Sequence, residues 1–151
     1  MVVELGGGLI AGEENAVYRL ELARGFLDEA RQDLELGRWR SAVDGAQLAV
    51  ENAGKTALAR FGRVGRTHNP STQIRRLIEE GSSEELPMVK LERLAELSES
   101  LGPDIHVQTD YGDEAEGRTP WELFGENDAR QALDIASEAV RLAEELVREG
   151  V

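Results

Sequence analysis

Arg63 and His68 are separated by four residues within FGRVGRTHNPSTQIRR, residues 61–76. A histidine titrates near neutral pH and can take or return a proton, and a guanidinium can stabilise charge that gathers on phosphate. An R-x-x-x-x-H pair therefore suits metal-free cleavage of RNA, with histidine acting on the 2'-hydroxyl and arginine on the phosphorane. The same histidine can instead cap a helix or fix a loop. It can also line a ligand or partner site together with Lys55 and Gln47. Gln47, Glu51 and Lys55 follow one another at intervals of four, which on a helix aligns them as one polar row. Glu51 precedes Lys55 in the favoured order for an ion pair, worth about 0.3 to 0.5 kcal/mol when exposed. Either the row is a solvated face, or Gln47, which interrupts small apolar positions in AVDGAQLAVENAGKTALARFG, marks a buried hydrogen-bond network or polar groove.

Charge distribution favours an anionic partner for this region. The chain has 30 acidic and 17 basic residues, a formal charge of -13, which opposes non-specific binding of nucleic acid by the molecule as a whole. Between Asn52 and Ile78 there is no Asp or Glu, whereas Lys55, Arg60, Arg63, Arg66, Arg75 and Arg76 all fall there. If the fold gathers them, a phosphate-bearing ligand has a basic patch to meet; otherwise the window is a basic helix-loop-helix junction. Binding through this window needs Lys55, Arg63, Arg66 and Arg75 to share a face, whereas catalysis needs Arg63 and His68 to converge.

The elements that must position these residues are helical. Ala16, Leu20, Ala23, Leu27, Ala30 and Leu34 recur at alternating spacings of four and three, a helix that Gly37 ends. Trp39, Val43, Ala46, Val50, Ala53, Ala57 and Phe61 repeat that spacing up to Gly62, and the short LGRW link implies an antiparallel hairpin. Pro70 and Ser71 open a third helix with Ile74, Leu77 and Ile78 as its apolar face. A fourth is expected from about Ser83, with Pro87 in its first turn, to Leu101. PDIHVQTDYGDEAEGRTPWELFGEN reads as a long irregular connection. In the last helix Ala129, Ala132, Ala136, Ala139, Ala143 and Leu146 form a small-residue stripe whose neighbour is either the first hairpin or the same helix of a second subunit. Residues 1–12 read as a tail and 13–151 as one domain, an all-α up-and-down bundle of four to five helices.

Other chemistries find little support. With no cysteine there is neither a disulfide nor a thiolate metal site. Asp104, Asp110, Asp113, Glu114 and Glu116 lack the spacing of a calcium loop, and no cofactor or metal is expected. No apolar run is long enough to span a bilayer, so no membrane association and a cytoplasmic location are expected.

The run ARGFLDEARQDLELGRWRSAVDGAQLAVENAGKTALARFGRVGRTHNPSTQIRRL resembles the N-terminal half of the HEPN domains of archaea and bacteria. The resemblance lies in Asp33, Leu34, the Gly37-x-Trp39 turn, the row Gln47, Ala49, Glu51 and Lys55, then Gly62, a basic loop and His68. TDYGDEAEGRTPWELFGENDARQALDIASEAV is similar to the family's closing part, a Tyr-x-Asp loop and an alanine-rich helix, although Asp110 and Gly112 stand where many relatives have Arg and Pro. The resemblance spans roughly residues 14 to 148. It implies an all-α homodimer, commonly encoded beside a minimal nucleotidyltransferase in a toxin and antitoxin type system. Some branches are metal-independent endoribonucleases with an R-x-x-x-x-H motif late in the chain, and others are nucleotide-binding modules. For this chain it implies binding of nucleotide, RNA or partner protein through Gln47, Glu51, Lys55, Arg66 and Arg75. The alternative is cleavage by Arg63 and His68.

Overall fold

In the computed structural model, which describes residues 8–63, 67–81 and 86–149, with side chains from residue 15, α2 (Trp39–Arg60) is the axis around which the other helices pack. α1 (Gly8–Glu35) and α7 (Glu126–Arg148) lie along it and against each other. α3 (Pro70–Glu80) and α4 (Met88–Ser100) form a pair on another side, and α5 (Pro103–Tyr111) with the four-residue α6 (Pro120–Leu123) cover the end of α2 near Trp39. Among the described residues, six helices of nine residues or more thus form an all-α bundle, with α6 as one added turn. No helix among the described residues is long and apolar enough to cross a membrane.

Two surfaces of α2 are consumed at once, which is why fourteen of its residues are buried. Val43, Ala46, Val50, Ala53 and Ala57 belong to the apolar core, and small side chains there let α1 and α7 approach closely. The alanine stripe of α7 faces the same core: Ala129, Ala136, Ala139 and Ala143 are fully buried within the one chain. Its neighbour is therefore the first hairpin, and a second copy would have to use other residues. Gly125 donates its backbone N–H to Asp128 Oδ2 at 2.9 Å, capping α7, whose first turn is acidic and whose last turn carries Arg148, as its dipole favours.

Three boundaries differ from the sequence expectation. α1 begins at Gly8, so it takes in residues 8–12 of the stretch read as a tail, and residues 1–7 lie outside the described ones. α4 begins at Met88 with Pro87 as its cap; Ser83 lies outside the described residues. The region read as irregular, residues 103–127, contains α5, α6 and the start of α7. α5 shows no apolar period because only Thr109 is buried, while Val107 and Tyr111 face solvent. Between α5 and α6, Asp113 and Arg118 exchange backbone hydrogen bonds of 2.8 and 2.9 Å.

Candidate functional site

The polar row of α2 is a buried seam rather than a solvated face. Gln47 is 1% exposed and its Oε1 meets no hydrogen-bond partner, while Glu51 is 6% exposed. Burying a carboxylate costs several kcal/mol unless partners replace its water. Glu51 Oε2 has two: Lys55 Nζ donates to it from 3.1 Å, and His68 Nδ1 stands 3.2 Å away. Because an ionised carboxylate only accepts, this contact puts the His68 proton on Nδ1 and leaves Nε2 of the neutral ring as an acceptor. The His68 side chain is 84% exposed, whereas that of Lys55 is 15% exposed. A ligand arriving at the seam thus meets imidazole and ammonium first, with Glu51 behind them.

His68 reaches α2 because α3 starts unusually close to it. A Cβ on Gly54 would lie 2.7 Å from Pro70 Cγ and 2.8 Å from its Cβ, nearer than side chains tolerate, so only glycine lets Pro70 seat there. Pro70 is the first residue of α3, where its missing N–H is no loss. Ahead of it, the Asn69 backbone N–H bonds Thr67 Oγ1 at 2.9 Å and Ser71 Oγ donates to Asn69 Oδ1 at 2.7 Å, which pins the residues on either side of His68.

The arginines expected to join this site are differently engaged. Arg63 pairs with Glu80 at the end of α3. Arg75 makes a two-pronged contact with Glu99 of α4, at 3.1 and 2.9 Å. This hydrogen bonding holds the Glu99 carboxyl below its ordinary range and raises the Arg75 guanidinium above its own. Arg66 lies outside the described residues. Carboxylates from outside residues 52–78 therefore neutralise Lys55, Arg63 and Arg75 one by one. Within one chain Arg63 and His68 have different partners, Glu80 and Glu51, and no hydrogen bond or ion pair joins them among the described residues.

Sequence reasoning missed a second polar cluster two turns back along α2. Asp44 Oδ1 lies 3.3 Å from Thr109 Oγ1 and 3.4 Å from His106 Nδ1. Thr109 has one hydroxyl proton, and the His106 carbonyl at 2.7 Å is the better acceptor, so the Asp44 branch is the weaker. His106 Nδ1 lies 3.4 Å from Asp44 Oδ1 yet is buried without a properly directed hydrogen bond. Arg40 Nη1 donates to the Thr109 carbonyl at 2.8 Å and ties α5 to the start of α2. Asp44 and Glu51 lie seven apart on one helix, each beside a histidine from elsewhere in the chain, and only the fold brings those histidines in. Among the described residues no group of three or more His, Cys, Asp or Glu could hold a metal ion.

Comparison with known proteins adds the following. A family model described as "HEPN domain" matches residues 16–146. No curated protein matches the chain. Among solved structures, TT1696 from Thermus thermophilus is similar over 87% of this chain and 97% of its own, with 26% identity and a TM-score of 0.64. ST0689, an archaeal protein whose structure is described as a HEPN homologue, covers the same shares at 21% identity and a TM-score of 0.60, a likeness of fold.

Proposed function

Since the chain belongs to the HEPN domain family, we propose that it is a nucleotide-binding module in which Lys55 and His68 receive a phosphate group, and that it works as a homodimer beside a minimal nucleotidyltransferase. The single observation that supports the binding reading is the buried Glu51 carboxylate, which keeps an ammonium and an exposed imidazole together at the mouth of the seam. Lys55 gives one of its three N–H groups to Glu51 and keeps two for a ligand. The protonated ring of His68 adds a second positive charge and an Nε2–H that a phosphate oxygen can accept.

Equilibrium titration of ATP in EDTA tests this. His68→Ala and Lys55→Met should each weaken binding by about tenfold, the worth of one charge-assisted hydrogen bond, and affinity should fall with salt. Unchanged affinity in both variants would sink the proposal.

One observation favours a second reading, a metal-independent endoribonuclease using Arg63 and His68. Glu51 fixes the His68 tautomer whose outward Nε2 can act as a base. Cleavage of mixed single-stranded RNA in EDTA, lost in His68→Ala and in Arg63→Gln, would select that reading over simple binding.

A further inference from the structure

Both tryptophans of the chain, Trp39 and Trp121, line a single cavity of about 380 Å³ at the α1–α2 turn end of the bundle. Gly37, Arg38, Arg40 and Phe124 supply most of the remaining wall. The volume falls in the range of small-molecule sites. Trp39 packs partly into the core, whereas Trp121 is 72% exposed. An exposed indole on a loose segment would call for no explanation. Trp121, however, sits on α6, which a capping box holds: Glu122 N–H bonds Thr119 Oγ1, and Thr119 N–H bonds Glu122 Oε1 at 2.9 Å. α6 also packs against α2 and α5. A large apolar side chain is thus carried on a held element with most of its surface uncovered.

The charge of the wall selects the ligand. In a chain of net charge -13, this cavity has two arginines and no acidic residue among the described residues that line it. The larger groove between α1 and α7, by contrast, is lined by Asp28, Glu138 and Glu144 as well as arginines. Arg40 is already committed to the Thr109 carbonyl and Ser41 Oγ, with the Asp44 carboxylate at 3.9 Å. Arg38 is freer, with a side chain 64% exposed and only Asp33 at 3.9 Å. Two indoles offer π-faces for stacking, and a guanidinium accepts a carboxylate in a planar, two-pronged contact.

We propose that this cavity binds a planar aromatic anion, its ring stacked on the tryptophans and its carboxylate held by Arg38. The site is separate from the Lys55–His68 cluster: along α2, Arg40 and Lys55 are fifteen residues apart, roughly 22 Å of helix.

The two tryptophans make the test specific, because the indole Nε1–H signals in a 1H–15N spectrum all come from the cavity. The probes are 2-naphthoate, the uncharged 2-naphthylmethanol, and acetate. The proposal expects naphthoate to shift both indole signals saturably, naphthylmethanol to bind about tenfold more weakly, and acetate to shift neither. Trp121→Ala, which should leave the circular dichroism spectrum unchanged because the side chain is exposed, should abolish the saturable shift of the Trp39 signal. Arg38→Gln should remove the preference for naphthoate over the alcohol, and His68→Ala should bind naphthoate as the native chain does, which separates this site from the nucleotide proposal. No saturable shift, equal affinity for acid and alcohol, or naphthoate binding unaffected by Trp121→Ala would each overturn it.

Discussion

Glu51 and His68 share a contact but should respond differently to substitution, because burial rather than contact sets the cost. Glu51→Gln leaves Lys55, with a side chain only 15% exposed, without its counter-charge. The penalty for an uncompensated buried charge is discounted here because the Lys55 head still reaches water; about 1–3 kcal/mol is expected, as a lower urea midpoint at unchanged slope. His68→Ala removes a side chain that is 84% exposed, so stability should change by less than about 0.5 kcal/mol. A large loss of stability in His68→Ala would mean that the histidine is a structural staple and not a ligand contact. At this scale the sequence was informative in part. The spacing of Gln47, Glu51 and Lys55 put them in one row, and the small apolar neighbours of Gln47 made a buried network one of two readings, but nothing local revealed that His68, seventeen residues on from Glu51, closed over it.

Helices depend on two close approaches that glycine alone permits. Gly54→Ala sets a methyl group against the rigid Pro70 ring. The helix propensity gained, about 1 kcal/mol, is outweighed by overpacking of about 1–3 kcal/mol. We expect net destabilisation, together with a changed His68 imidazole signal as α3 is pushed away from α2. Gly112, at φ 69° and ψ −148°, follows α5 in a region of the backbone map that other residues avoid, and a Cβ there would lie 2.2 Å from the Arg118 carbonyl oxygen. Gly112→Ala should cost about 2 kcal/mol or more and move both indole signals, since the turn it makes leads into α6. A Gly112→Ala spectrum with unmoved indole signals would contradict this coupling. The long helices were legible because apolar residues recur along α1, α2 and α7. α5 was not, because with Val107 and Tyr111 exposed it has no apolar stripe to read. The cluster of Asp44, Thr109 and His106 was hidden for another reason: Asp44 lies more than sixty residues before the other two, and pattern arguments do not reach that far.

Across the whole molecule, ion pairs between helices contribute to the response to acid. Hydrogen bonds from Arg93 hold the Glu138 carboxyl below its ordinary range, and those from Arg75 do the same for Glu99. A carboxyl whose folded value is depressed contributes stability above its unfolded value, near 4.5, and loses it as pH falls through the folded value. These pairs are largely exposed, so the effect is modest and screened by salt. The melting temperature should therefore drop between pH 5 and pH 3, and drop less in an Arg75→Gln, Arg93→Gln double variant; equal slopes would contradict the assignment. The central claim, that Lys55 and His68 receive a phosphate beside Glu51, is tested most directly by ATP titration followed through histidine imidazole resonances. The chain has only two histidines, His68 and His106. The account predicts a saturable shift of the His68 signal while His106 stays in place; a stationary His68 signal at saturating ATP, or a shift confined to His106, would contradict it.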